Sequence, residues 1–263
     1  MSSFKGNLLV NKFANELCDE NSLGKIFHIN SKQSKHILME NMFLSKNLIN
    51  NPEFNKMTRA PEKSYPNTNL IELNTVSDED SELISILRER RSRSTASEKK
   101  KISLKDLSLL SWAGYGVVGP DKFFRTAPSA GALYPCELYM LSLNTELEQG
   151  LYHYRPSKHN LEVLKVTDIN LDELFLSNAG LESVSAIFVM TSVFDRSYFK
   201  YGERSYRFAL LEAGAMAQNI GLVSTKLGYH ATPHGGASDI DLEKFIGIDG
   251  KTESIVHIVA INN

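Results

Sequence analysis

The sequence predicts an α+β fold, and three observations support this class. Segments with helical spacing and segments with strand-like spacing are mixed along the 263 residues without a regular βαβ alternation. A long segment from about Glu203 to Gly228 is apolar almost all round, which predicts a buried helix. Hydrophobic residues at 42% and charged residues at 23% are typical of an ordinary globular protein.

The N-terminal part of the chain differs from the rest in composition. Residues 1–75 are rich in Asn, Lys and Ser, and the stretch RAPEKSYPNTNL (59–70) has two prolines that predict an extended connector. We therefore expect residues 1–75 to form an N-terminal extension packed on a core domain of residues 76–263. A partly ordered arm is the alternative interpretation.

Two helices are predicted before the first core strand. The first begins at Ser77, which forms a capping pattern with Asp80, and it ends in the arginine-rich run RERRSRS (88–94). The second, SLKDLSLLSWAGYG, begins at Ser103 and ends at one of the last two glycines of that stretch.

Buried strands are predicted at ELYMLSL, AIFVMTSV and SIVHIVAI, because these are short apolar runs. Between the first two, GLYHYRPSKHNLEVLK predicts a hairpin whose turn spans residues 156–160. Ser238 is a candidate N-cap for a further helix before the last strand.

Charge and cysteine content exclude several classes of function. The formal net charge of -2 argues against a general nucleic-acid surface. The sequence has no window apolar enough to span a bilayer and no signal-peptide core at its N-terminus. Cys18 and Cys136 lie far apart, and the histidines lack metal-ligand spacing, so neither a disulfide nor a metal site is predicted. We expect a cytoplasmic protein without membrane or nucleic-acid partners.

Two stretches are candidates for holding an anionic, flat ligand. The guanidinium groups and hydroxyls of RERRSRS suit a phosphate, although a solvated basic helix end is the simpler interpretation. The small residues of PSAG (128–131) let the backbone approach a flat ligand closely. The alternatives for PSAG are a tight turn into the next strand and close packing against a helix.

Two further stretches are candidates for the chemistry. Lys200 and Tyr201 come just before the long helix, whose positive end favours an anion, and a lysine beside a tyrosine lowers the tyrosine pKa. Such a pair could remove a proton from carbon, but an arbitrary Lys-Tyr pair is more often structural. Gly235 and Gly236 allow close backbone approach to a ligand, or they simply form the turn before Ser238.

Taken together, the ordered pieces of the chain resemble the nitroreductase-like flavoproteins. More narrowly, they resemble the SagB-type or McbC-like dehydrogenases of azole-modified peptide biosynthesis. The pieces that carry the resemblance are FHINSK (27–32), ERRSRS, LSLLSWAGYGVVG, PSAGALYPCELY, GLYHY, FKYGERSYR and LLEAGAMAQNIGL.

The resemblance implies a nitroreductase-like fold, with a mixed central sheet flanked by helices, in a homodimer with FMN sites at the subunit interface. It further implies oxidation of thiazolines or oxazolines to thiazoles or oxazoles in a ribosomally made precursor peptide. A cyclodehydratase that makes the azolines is the implied partner.

The resemblance also assigns residues by position. Those matched to the FMN phosphate and ribityl groups are Arg90 and Ser92. Those matched to the loops around the flavin are Pro128, Ser129, Ala130, Gly131, Gly235 and Gly236. Those matched to catalysis are Lys200 and Tyr201.

The sequence departs from the family pattern in two places, and two other functions stay open. Ser94 stands where the family has an arginine, and the C-terminal VHIVAINN lacks a basic phosphate ligand. One alternative is an NAD(P)H-dependent nitroreductase, which needs no Lys-Tyr pair. The other is a flavin-binding scaffold subunit of a peptide-modifying synthetase, against which the intact flavin loop argues.

Overall fold

A computed structural model describes residues 22–41, 51–53, 63, 69–77, 81–93, 101–119, 123–176, 181 and 183–262. The helices named here are α1 Leu23–Ser31, α2 Glu82–Glu89, α3 Leu104–Tyr115, α4 Leu171–Leu174, α5 Asp195–Tyr201, α6 Arg204–Lys226 and α7 Asp239–Ile246. The strands are β1 Val117–Val118, β2 Phe124–Arg125, β3 Cys136–Ser142, β4 Gly150–Arg155, β5 Asn160–Val166, β6 Val184–Val193, β7 His230–Pro233 and β8 Glu253–Asn262.

The central sheet has six strands in the order β5-β4-β3-β6-β8-β7. Every pairing between these strands is antiparallel. Among the described residues, a parallel pairing occurs in the isolated bridge between Ile102 and Thr145, which lies outside the named strands. The α+β class and the expected arrangement of a central sheet flanked by helices are confirmed.

The sheet separates two hydrophobic cores. On one face, Leu138 of β3 belongs to a cluster with Met216 and Ile220 of α6. On the other face, Leu141 of β3 packs in a cluster with Leu242 of α7. Strand β6 is buried along its whole length because it lies between both cores, and each fully buried aliphatic side chain contributes about 1.5–3 kcal/mol.

Helix α6 differs from the sequence-based expectation of a helix buried on all sides. Its inner face is buried on the sheet, whereas its outer face exposes Leu210, Leu211 and Gly214. The Leu211 side chain is 70% exposed. Both faces are apolar, so periodicity alone could not show that only one of them packs within the chain.

Helix α2 begins later than predicted. Its N-cap is Ser81, whose Oγ accepts a hydrogen bond from the backbone N–H of Ile84 at 3.3 Å, and the expected cap at Ser77 is wrong. Ser77 and Ser81 have the same intrinsic preference for an N-cap, so the sequence alone did not distinguish them. Ser81 directly precedes the first residue of α2 and therefore reaches the free N–H groups of its first turn.

Other elements that neighbouring residues determine, such as helix caps and a hairpin, lie where they were predicted. Ser103 caps α3, which ends at Gly116, and Ser238 caps α7. Strands β4 and β5 form the expected hairpin. The proposed boundary at residues 75 and 76 stays a prediction.

Within the described residues, no helix combines the length and apolarity needed to cross a membrane. The same part of the chain has no group of three or more His, Cys, Asp or Glu residues placed to hold a metal ion.

Candidate functional site

The PSAG loop has a backbone shape that its sequence does not favour. A 3₁₀ turn spans Ala130–Ala132, and positive φ angles occur at Gly131 (61°), Ala132 (51°) and Tyr134 (49°). For alanine and tyrosine this left-handed region is uncommon, and such strain persists only where the surroundings impose it. The Ser129 Oγ accepts a hydrogen bond from the Tyr134 N–H at 3.0 Å and closes the loop.

Gly131 lies directly against the Lys-Tyr pair. A Cβ placed on Gly131 would lie 2.5 Å from Tyr201 Oη and 2.7 Å from Lys200 Nζ, so a larger residue at this position would displace the ends of those two side chains. The Lys200 Nζ is itself 5.2 Å from the centroid of the Tyr201 ring. The predicted flavin loop and the predicted catalytic pair therefore meet in one place.

The Lys-Tyr pair is part of a helix of its own. Lys200 and Tyr201 form the last turn of α5, and Gly202, with φ of 53°, separates α5 from α6. The pair does precede the long helix, as predicted, but it sits at the carbonyl end of α5. At that end the dipole of α5 favours a cation, and α6, whose positive end the sequence argument used, begins only at Arg204.

A buried polar group lies beneath the loop. Glu212 of α6 is 2% exposed and accepts a hydrogen bond from Tyr115 Oη. Burial raises the pKa of the Glu212 carboxyl, and the hydroxyls of Ser129 and Tyr115 offset part of that shift. Sequence reasoning missed Glu212, although an acidic residue inside the apolar run LLEAGAMA indicates a buried partner.

Cys136 and Tyr115 belong to the hydrophobic core beneath the loop. Both are fully buried next to Glu212, and burial raises the pKa of each group well above its usual range. The Cys136 thiol contacts the Ala209 carbonyl oxygen at 3.7 Å, as a small core residue would.

Two of the other predicted site residues, Arg90 and Gly235, line cavities beside α6. A cavity of about 150 Å³ is lined by Arg90 and, among others, by Gly214, Gly221, Pro233 and His257. A second cavity of about 270 Å³ contains Gly235 and also borders His257. The two cavities therefore adjoin, with Arg90 at one end and Gly235 at the other.

His257 reaches this position because β8 carries a bulge. The strand partners jump from Met190–His257 to Thr191–Ile255, so Val256 is an extra residue in β8. Both Val256 and His257 consequently line the larger cavity. Burial lowers the pKa of the His257 imidazole. Sequence reasoning missed His257, because the alternation of a strand does not reveal where it bulges.

Gly236, Ser92 and Ser94 differ in how they relate to the cavities. Gly236 turns onto His234, whose Nδ1 accepts the Gly236 N–H at 3.1 Å, and only Gly235 faces the larger cavity. Ser92 is exposed on the segment after α2, which is tied to the sheet edge by Thr232 Oγ1 donating to the Arg93 carbonyl at 2.8 Å. Ser94 lies outside the described residues.

Within one chain, the two groups of site residues lie on opposite sides of α6. Ser129 contacts Glu212, whereas the Arg90 side chain passes 3.8 Å from the Cβ position of Gly221. Glu212 and Gly221 are about two and a half helical turns apart, which places them on opposite faces and about 13 Å apart along the axis. A single chain thus does not bring Arg90 to the loop or to Lys200 and Tyr201.

Comparison with known proteins assigns the family. The sequence model of the nitroreductase family matches residues 87–261, which is more than half of the chain. The chain belongs to the nitroreductase family.

Two relatives of this family member come from different organisms. The microcin B17-processing protein McbC of Escherichia coli is 33% identical over 165 residues, which are 59% of this chain and 60% of McbC. The match thus spans less than two thirds of McbC. MJ1384 of Methanocaldococcus jannaschii, named as a nitroreductase, is 28% identical over 155 residues, which are 56% of this chain and 75% of the relative.

A solved structure shares the fold over almost the entire chain. It is the E. coli microcin synthetase McbBCD complex with truncated pro-microcin bound, with a TM-score of 0.58 and 23% identity. The similarity covers 93% of this chain and 99% of the matched chain. At this identity the likeness shows the fold.

Proposed function

We propose that this protein is an FMN-dependent dehydrogenase that converts thiazoline or oxazoline rings of a ribosomally made precursor peptide to thiazoles or oxazoles. The observation that carries the proposal is the contact of Gly131 with Lys200 Nζ and Tyr201 Oη. A proton-removing pair beside a flavin loop suits oxidation of a carbon-hydrogen bond, whereas reduction of a nitro group needs no such base. The similarity to McbC supports the choice of an azoline-bearing peptide as the substrate.

The residues of the two adjoining cavities fit FMN. Sites for ligands of this size usually measure about 300–1,000 Å³, and the cavities of about 270 and 150 Å³ together fall in that range. At one end, the Arg90 guanidinium would pair with the phosphate. At the other end, the Gly235 backbone and His257 would border the ring system. Bound FMN would supply the acceptor for the two electrons that the azoline loses.

The protein acts as a homodimer in this proposal, because the site is incomplete in one chain. The PSAG loop, Lys200 and Tyr201 lie across α6 from the cavity that holds Arg90. The exposed outer face of α6, with Leu211 and Gly214, borders that cavity and offers a surface for the second copy. Two copies related by a two-fold axis would form two equal sites, each with residues from both chains.

The chain's own residues handle the substrate proton. The ring carbon that bears the peptide carbonyl has the more acidic hydrogen, and Tyr201 Oη or Lys200 Nζ would take that proton. Because both groups touch Gly131, the loop fixes where they point. Placing a base in this way typically accelerates proton removal about 10²–10⁴-fold.

The proposed partners follow from the proposed chemistry. Azolines arise from Cys, Ser or Thr residues of a peptide, so the enzyme must work after a cyclodehydratase. The E. coli relative of known structure is part of a synthetase complex with a peptide bound, which supports an assembly of the same kind here.

A mass measurement on a defined peptide tests this function. The purified protein is supplied with FMN and incubated in air with a synthetic thiazoline peptide and, separately, an oxazoline peptide, without NAD(P)H. Loss of the mass of two hydrogen atoms per ring is the expected result. A protein that leaves both peptides unchanged but reduces nitroaromatics with NAD(P)H is a nitroreductase. A flavin-loaded protein that does neither is a scaffold subunit.

A further inference from the structure

Helix α1 lies outside residues 87–261, yet it contacts the chain on both sides of the Lys-Tyr pair. On the first side, Lys25 Nζ is 2.6 Å from Asp195 Oδ1. Asp195 is the first residue of α5, and the two side chains are only 15% and 10% exposed. An ion pair with this little exposure is weakly screened by solvent, so removing one partner should weaken the attachment of α5 to α1.

On the second side, Glu203 caps the N-terminus of α1. Its carboxylate accepts hydrogen bonds from the backbone N–H groups of Leu23 at 2.9 Å and Gly24 at 2.7 Å. The same carboxylate accepts a hydrogen bond from Tyr198 Oη at 3.3 Å. A carboxylate satisfies the free N–H groups of a helix start and complements its dipole. Glu203 follows Tyr201 after Gly202, so α1 holds the chain before and after the catalytic pair.

The far end of α1 is fixed to the core. His28 Nε2 is 2.7 Å from Ser254 Oγ of β8, and Lys32 Nζ is 2.8 Å from Glu243 Oε2 of α7. Burial and the nearby Lys32 lower the pKa of His28 to about 4, so its ring is neutral near pH 7. These contacts anchor the FHINSK stretch to the core, and its residues His28 and Ser31 also line the larger cavity.

Close packing leaves α1 little room to move relative to α6. A Cβ on Gly24 would lie 3.1 Å from Tyr206 Cβ, in the first turn of α6. The segment held in this way is short, because α5 has seven residues and Gly202 follows it directly. Two further contacts of α5 are the ion pair between Arg196 and Glu137 of β3, at 2.5 Å, and the edge-to-face contact between the rings of Tyr201 and Phe208.

We propose that α1 is a positioning element for catalysis, with Lys25 and Glu203 as positioning residues that keep Lys200 and Tyr201 against Gly131. The inference rests on the proposed azoline oxidation. It assigns the N-terminal segment a role in the rate of the reaction, beyond its contribution to packing.

The kinetic test separates positioning from stability. Lys25→Met keeps the length of the side chain but removes the charge, and Glu203→Gln keeps the volume of the cap. We expect each to lower kcat for azoline oxidation about tenfold or more, since small misplacements of reacting groups cost up to about 10²-fold. The KM for the peptide and the FMN content should stay within about twofold of wild type.

Matched variants make the result specific. Lys25→Arg keeps the charge and should retain most of the wild-type kcat. The exchange of charges in Lys25→Asp with Asp195→Lys should recover activity that Lys25→Asp alone loses. Lys35→Met is the control, because Lys35 is a half-buried lysine further along the same segment, and it donates to the Asp172 carbonyl oxygen, away from α5.

A spectroscopic readout does not depend on turnover. With 3-fluorotyrosine at position 201, the ¹⁹F resonance should be single and sharp in wild type and shifted or broadened in Lys25→Met. The proposal is overturned if Lys25→Met and Glu203→Gln leave both kcat and the ¹⁹F resonance unchanged. It is also overturned if kcat falls only in proportion to lost FMN or lost folded protein. A wild-type protein that oxidises no azoline refutes the proposed function instead, and the ¹⁹F comparison still decides whether α1 positions the pair.

Discussion

The inner and outer sides of helix α6 carry different parts of the candidate site, and one chain completes only the inner side. On the inner side, the PSAG loop, Lys200 and Tyr201 are in direct contact above the buried Glu212. On the outer side, Arg90 and Gly235 line open cavities beside an exposed apolar surface. In the proposed function, the groups for proton removal therefore lie within one chain, whereas the cofactor site would need a second surface.

The substitution with the largest expected effect on the inner side is Gly131→Val, which should displace Lys200 and Tyr201. The branched side chain would occupy the space of Tyr201 Oη and Lys200 Nζ, at a φ of 61° that valine disfavours. We expect azoline oxidation to fall by more than the approximately 10²-fold typical of a misplaced catalytic group. Gly228→Val is the control, since Gly228 has a φ of 80° but no atoms near its Cβ position. Equal losses in both variants would show that backbone strain alone is responsible.

Removing the base tests the inner side more selectively. Tyr201→Phe deletes one hydroxyl and should keep the fold and the flavin spectrum, while azoline oxidation falls about 10²–10⁴-fold. Lys200→Ala should slow the reaction in the same assay. If the two residues act as a unit, the double variant should be little slower than the slower single variant. Near wild-type rates in both single variants would show that the pair has only a structural role.

On the outer side, Arg90→Ala tests phosphate binding. A hydrogen bond to a charged group contributes about 1.5–3 kcal/mol, so the Kd for FMN should rise about 10–150-fold in a fluorescence titration. Arg91→Ala is the matched control, because the Arg91 guanidinium donates to nearby backbone carbonyls of its own segment. An equal effect of both substitutions would indicate general charge attraction rather than a phosphate site.

Gly214→Leu tests whether the outer side contacts a second chain. A Cβ at position 214 meets no atom within 4 Å, so leucine fits a single chain and improves helix propensity by about 1 kcal/mol. We therefore expect unchanged or higher thermal stability of the isolated chain together with loss of the dimer in light scattering. A dimer of unchanged affinity would place the subunit interface elsewhere.

The smallest expected effect concerns Glu212 and pH. Its pKa is raised in the folded state, so the folded protein binds the proton more strongly than the unfolded chain and loses this stabilisation as pH rises through the folded pKa. Glu212→Gln cannot ionise. We expect the difference in Tm, wild type minus variant, to decrease between about pH 4 and pH 7, by an amount equivalent to about 1.4 kcal/mol per unit of pKa shift. A difference independent of pH would mean that Glu212 is not perturbed by burial.

The sequence predicted those features that neighbouring residues determine. Ser103 and Ser238 cap helices that they immediately precede, and the β4–β5 hairpin follows from its own turn residues. The contact between Gly131 and the Lys-Tyr pair could be expected only from the family resemblance, because the loop and α5 are far apart in the chain.

The remaining features depend on packing that a single sequence does not display. Helix α6 has two apolar faces, and nothing in its pattern tells which of them lies on the sheet. His257 borders the cavity because β8 bulges at Val256. The partners of Glu212, Tyr115 and Ser129, belong to other elements, so the sequence around Glu212 does not reveal them. The sequence analysis did not predict α5 as a separate helix. Gly202, the residue that separates it from α6, comes after Lys200 and Tyr201, so the pair belongs to α5 and not to a loop before α6.

The placement of Arg90 and Gly131 on opposite sides of α6 has a genetic consequence. In the proposed dimer, a chain with Arg90→Ala still contributes its loop and its Lys-Tyr pair to the site that contains the Arg90 of the other chain. A chain with Gly131→Val still contributes its Arg90 to the site that contains the loop of the other chain. Where FMN is too scarce to fill the Arg90→Ala site, the two variants should therefore complement one another when co-expressed. Each mixed dimer would contain one site with both lesions and one site with neither, so activity would return without any reversion of either gene.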